Sequence, residues 1–130
     1  VVKHAFLRSA PEEEVAIKIV DRSFLASNPD EKRRIEREIA TLRKLDHPYI
    51  MKLYDVLEGP QHRHMILEFL PKGELYDYIL KNDHIPVDEA FKFFFQLVVA
   101  VAHIHNRGIV HRDIKLENMI VDHKNDVKLA

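Results

Sequence analysis

The chain changes character at Leu70-Pro71-Lys72-Gly73. Before that breaker-rich stretch, β-branched runs dominate; after it, apolar residues recur at helical spacing. Strands gathered in one half and helices in the other predict an α+β chain in two lobes, 1–69 and 74–130, joined by a hinge at 70–73.

Within the first half, Val1 to Leu7 and Glu14 to Val20 read as strands around a turn at Arg8 to Glu12. Asn28-Pro29 with Glu31 predicts a helix start with a capping box. Ile35, Ile39, Leu42 and Leu45 continue that helix until Asp46-His47-Pro48 stops it. Ile50 to Leu57 and His64 to Phe69 predict two further strands about Gly59-Pro60. In the second half, Glu74 to Lys81 and Val87 to Arg107 read as helices, the longer one closed by Gly108. Met119 to Val121 and Asp126 to Leu129 read as short strands.

Composition narrows the function classes. A net charge of −1 argues against a nucleic-acid surface. No cysteine is present, so disulfides and thiolate metal sites are excluded. The most apolar run, Phe93 to Ala102, is far shorter than the ~20 residues that span a bilayer, so no membrane span is expected. Among the nine histidines, His103 and His105 fall on different helix faces, and His62 and His64 lack an evident third ligand.

Two charges sit in apolar company. At about 100° per residue, Glu38 falls inside the arc of roughly 120° that holds Ile35, Ile39, Leu42 and Leu45. Lys18 lies in the apolar strand Val15-Ala16-Ile17-Lys18. An unpaired buried carboxylate is costly, so a Lys18–Glu38 pair would resolve both anomalies. The alternative is a snorkelling lysine and a carboxylate at the edge of the stripe.

Downstream, Val110-His111-Arg112-Asp113-Ile114-Lys115-Leu116-Glu117-Asn118 lies between the glycine-closed helix and a short strand. With that segment, Val15-Ala16-Ile17-Lys18 and Glu38, the chain resembles the eukaryotic-type serine/threonine protein kinases, whose catalytic loop reads H-R-D-x-K-x-x-N. Val2 and Ala5, His47-Pro48-Tyr49-Ile50, Leu67-Glu68-Phe69-Leu70 and Val127-Lys128-Leu129-Ala130 extend the likeness over the whole chain. Ile35-Glu36-Arg37-Glu38-Ile39 and Lys52-Leu53-Tyr54-Asp55-Val56 resemble the calmodulin-dependent group, especially relatives of the AMP-activated kinase.

The resemblance implies an incomplete protein-kinase-like bilobal fold that transfers the γ-phosphoryl group of ATP, with Mg2+, to serine or threonine hydroxyls of protein substrates. It implies that Asp113 accepts the hydroxyl proton and that Asn118 ligates Mg2+. Lys115 would neutralise charge on the transferring phosphate, and Lys18, clamped by Glu38, would hold the α/β-phosphates. Val2, Ala16 and Ile120 would enclose adenine, with Leu67 behind it and the backbone of Glu68 and Leu70 at its edge. Glu74 would reach the ribose or the substrate.

Glu74 and Glu117 match positions that read an arginine upstream of the acceptor, and Arg112 implies control by an upstream activating kinase. An intracellular setting, cytoplasmic or nuclear, goes with that activity. The glycine-rich loop and the D-F-G aspartate fall outside residues 1–130, so the isolated piece is expected to be inactive and, through Phe93, Phe94, Phe95 and Leu97, prone to aggregate. Two rivals are a pseudokinase acting as a binding scaffold and a small-molecule phosphotransferase with a D-x-x-x-x-N loop.

Overall fold

The computed structural model describes residues 1–130, which divide into two units. The first comprises Val1–Lys44 and Lys52–Phe69, and the second Leu45–Met51 and Leu70–Ala130.

In the first unit, β1 (Val2–Leu7), β2 (Ala10–Asp21), β4 (His62–Glu68) and β3 (Leu53–Glu58) form one antiparallel sheet, in the order β1-β2-β4-β3. Between β2 and β3 come two helices, α1 (Arg22–Ser27) and α2 (Pro29–Leu42). β2 is therefore interior, hydrogen-bonded on both sides. Its register sets Val2 against Lys18, Lys18 against Met65, His4 against Ala16, and Ala16 against Leu67. Directly paired residues share a sheet face, so Val2, His4, Phe6, Glu14, Ala16, Lys18, Met65 and Leu67 all lie on one side. Val15, Leu25, Ile35, Ile39, Met65 and Leu67 are the buried apolar residues of this unit.

Three local readings change. β2 begins at Ala10, so most of the supposed turn is strand; Glu12 to Glu14 are exposed there, and charge on a wet surface does not oppose pairing. α1 was not anticipated. The Asp21 carboxylate caps it by accepting from the Ser23 and Phe24 amides, and the Ser23 hydroxyl first, then those amides, hold its pKa below the usual 3.8. The capping box at Asn28 does not form: its Nδ2 turns back to the Phe24 carbonyl at 2.8 Å, serving the end of α1 instead, while Pro29 does open α2.

The second unit holds α3 (Leu75–Lys81), α4 (Val87–His105), a 3-10 turn at Leu116–Asn118, and the hairpin β5 (Met119–Val121) and β6 (Val127–Leu129). α4 ends as Gly108 requires. At φ +71° it lets the Ile109 amide reach the Ile104 carbonyl and its own amide reach that of His105. Leu75, Phe93, Met119, Val121 and Val127 make the core, with Tyr78, Ile79, Ile85 and Leu97 around it. No helix is long and apolar enough to cross a membrane.

Residues 45–51, which the sequence reading gave to the first lobe, belong to the second unit through β6. Ile50 bridges Leu129, the Leu129 amide donates to Tyr49, and the Met51 amide donates to Leu129. The His47 ring also meets α4, its centroid 4.6 Å from that of His103. Burial, then the charges of His103 and Arg107, push the His47 pKa below 6.5, and its Nδ1 accepts the Tyr49 amide. α2 consequently stops at Leu42 and β3 starts only at Leu53.

Gln96, 3% exposed on α4, ties that helix to the hairpin. Its Nε2 donates to Asp126 at 2.7 Å and its Oε1 accepts the Val127 amide at 2.8 Å. Gln96→Leu should therefore destabilise the unit by about 1–3 kcal/mol, because a buried amide loses its acceptor. Faster hydrogen exchange at Val127 with a lower urea midpoint would register it; unchanged protection would count against the tie.

Candidate active site

Each unit carries one of the two polar clusters that hold the candidate catalytic residues. In the first, Lys18 projects from the interior strand β2 toward α2, and its Nζ donates to Glu38 Oε1 at 2.8 Å and Oε2 at 2.9 Å. The two side chains remain 31% and 34% exposed. The ammonium is thus fixed by both carboxylate oxygens yet still reachable. Val2 and Ala16 lie on the same sheet face as Lys18, with Leu67 buried beside them and Glu68 ending β4.

The second cluster is the loop between α4 and β5. Arg112 adopts φ +68°, a left-handed conformation that costs an L-residue about 1–2 kcal/mol. Its neighbours hold it there. His111 Nδ1 accepts the Asp113 amide at 3.2 Å, so in the neutral ring Nε2 carries the proton and donates to the Ala130 carbonyl at 2.7 Å. One imidazole thus pins both the loop and the end of β6. The Ala130 amide in turn donates to the Asn118 carbonyl.

Asp113 is exposed at the tip of this arrangement. Lys115 Nζ lies 3.2 Å from its Oδ2, and Asn118 Nδ2 donates to the same oxygen at 2.9 Å and to the Asp113 carbonyl at 2.8 Å. The hydrogen bond from Lys115, then that from Asn118, lowers the Asp113 pKa below 3.8. At neutral pH the carboxylate is ionised, with Oδ1 unengaged. Asn118 spends its NH2 on Asp113 and keeps its amide oxygen Oδ1 outward of those bonds. An amide oxygen is a hard donor of the kind Mg2+ takes, so Asn118 could supply one ligand.

The remaining candidates of this unit divide into two groups. Glu74 and Ile120 face each other across an isolated antiparallel bridge, Glu74 exposed and Ile120 half-buried. Leu70 is buried, and its carbonyl accepts the Gly73 amide in the turn that Gly73 makes at φ +72°. Two contacts were not foreseen from the sequence: that of His111 with the Ala130 carbonyl, and the stack of His4 on Phe69. The alternation of Val2, His4 and Phe6 along β1 was the available signal for the second.

Residues 2–130 match the family model described as "Protein kinase domain". Among curated relatives, the maternal embryonic leucine zipper kinase of Xenopus tropicalis is 44% identical over 117 residues, 90% of this chain and 18% of the relative. The carbon catabolite-derepressing protein kinase of Candida tropicalis is 47% identical over 118 residues, 91% of this chain and 19% of the relative. A serine/threonine-protein kinase of Rattus norvegicus, SIK1, is 44% identical over 117 residues, 90% of this chain and 15% of its own length. The chain thus spans less than a fifth of the length of each of these relatives.

Proposed function

We propose, for a chain that belongs to the protein kinase family, that it contributes the central catalytic part of a serine/threonine protein kinase, moving the γ-phosphoryl group of ATP to protein hydroxyls. The observation that carries this reading is the ionised, half-engaged carboxylate of Asp113 flanked by Lys115 and Asn118. A carboxylate so held orients an incoming hydroxyl through its open oxygen and takes its proton as the new O–P bond forms. Lys115, at 3.2 Å from the same carboxylate, is close enough to share its charge between Asp113 and a transferring phosphate.

Lys18 serves the α/β-phosphates, and the two-oxygen grip of Glu38 keeps its ammonium from wandering. Val2, Ala16, Leu67 and the Glu68 backbone of the first unit would serve adenine; Leu70, Ile120 and, for the ribose or the substrate, Glu74 are assigned from the kinase resemblance alone. Asn118 would be one ligand of Mg2+, which when bound offsets phosphate charge. An intracellular setting, cytoplasmic or nuclear, is part of the same proposal. The exposed guanidinium of Arg112 is available to a phosphate added by an upstream kinase.

Glu74 and Glu117, both exposed, supply carboxylates for a guanidinium on the substrate. The full-length protein, given ATP, Mg2+ and a degenerate peptide library, should phosphorylate serine and threonine. It should favour arginine about three residues upstream of the acceptor, with Glu117→Gln weakening that preference about ten-fold. Indifference to basic residues would remove the arginine preference. Nucleotide binding with no transfer to any peptide would replace the enzyme by a scaffold.

A further inference from the structure

The sheet face that carries Val2, Ala16, Lys18 and Leu67 also carries His4, directly paired with Ala16. The His4 ring lies flat on Phe69, with centroids 3.9 Å apart and planes 9° apart, and meets Phe6 on its own strand at 4.8 Å. Its Nε2 is 2.5 Å from Glu14 Oε2. A carboxylate accepting the imidazole N–H fixes the ring's rotation, so His4 is held in plane rather than swinging freely from an exposed strand. Phe69 is the residue after Glu68, at the end of β4. A ring clamped flat against Phe69 restrains the backbone on either side of it.

We propose that His4, held by Glu14, is a positioning residue for the nucleotide: by stacking on Phe69 it sets the Glu68 backbone that receives the adenine edge. The inference rests on the kinase reading, which assigns that backbone to adenine. His4 touches neither phosphate nor acceptor in this scheme. Its removal therefore weakens nucleotide binding and leaves the chemical step to Asp113.

The test uses full-length protein carrying His4→Ala, His4→Phe or Glu14→Gln, with Lys3→Ala on the opposite sheet face as control. KM for ATP, kcat at saturating ATP, and binding of a fluorescent ATP analogue in the absence of peptide are measured. His4→Ala should raise both KM and the analogue's Kd about three- to ten-fold, the range expected for one lost ring stack, with a smaller change in kcat. His4→Phe, which keeps a flat ring, should restore both to within about two-fold, and Glu14→Gln should fall between.

Wild-type KM and Kd in His4→Ala would overturn the proposal, as would equal losses in His4→Ala and His4→Phe, which would assign the effect to the imidazole–carboxylate contact alone. A parent protein that fails to bind the analogue, and is indifferent to Lys18→Met, would instead overturn the kinase reading. The two failures are thus distinct.

Discussion

Asp113→Ala in the full-length protein is expected to lower kcat about 10²–10⁴-fold while KM for ATP stays within a few-fold. The reason lies in how the carboxylate is held. Hydrogen bonds from Lys115 and then Asn118 keep its pKa below 3.8, so it is a weak base toward an intact alcohol. It cannot deprotonate serine in advance. It can orient the hydroxyl from the outset and take the proton late, when the forming O–P bond has made that proton acidic.

Asp113→Asn sharpens the test, since the amide preserves size and much of the hydrogen bonding but cannot accept that proton. Loss equal to that of Asp113→Ala would show that proton acceptance dominates, whereas substantial retained rate would show orientation does. The lowered pKa has its own sign. The active, ionised form persists to more acid pH than an ordinary aspartate would allow, and Lys115→Ala, removing the main cause, should move the titration up toward 3.8. Carbon-13 NMR of the carboxyl group would follow that shift. An unaltered rate in Asp113→Ala would remove this residue from the mechanism.

What could be read in advance follows the range of the interactions. The Lys18–Glu38 pair was suggested by two local anomalies, a charge on an apolar strand and a charge in an apolar helical stripe, but a snorkelling lysine accounted for them equally well until the loop motif at 111–118 favoured the pair. α1 was not, because six residues are too few turns to display a period, and its only mark is a capping Asp21 at the end of a strand. Asn28 misled for a related reason: two helix ends compete for one side chain, and the carbonyl of Phe24 wins it.

The attachment of residues 45–51 to β6, and the bond from His111 to Ala130, join segments distant in sequence. Hydrophobic periodicity carries no information about which backbone will lie opposite. The loop at 110–118 itself was visible only as a residue pattern resembling a family. Its geometry depends on the left-handed Arg112, a conformation that arginine's own propensity would not suggest.

The second large effect concerns Lys18. Lys18→Met should reduce kcat/KM about 10²–10³-fold, through loss of a positive charge that stabilises phosphate in the transition state. Lys18→Arg should not rescue it, since a longer planar guanidinium would not fit the position where one ammonium meets both Glu38 oxygens. Glu38→Gln, which leaves the ammonium but loosens its grip, should cost about 10–100-fold.

Glu38→Gln should hardly move the unfolding midpoint, because an ion pair this exposed contributes only about 0–1 kcal/mol to stability. The double variant is the decisive measurement. If Glu38 acts only by holding Lys18, then Lys18→Met with Glu38→Gln is no worse than Lys18→Met alone, and the cycle is strongly non-additive. Full additivity would mean that the carboxylate acts on the reaction by another route, and that the bond seen between the two side chains is packing without catalytic consequence.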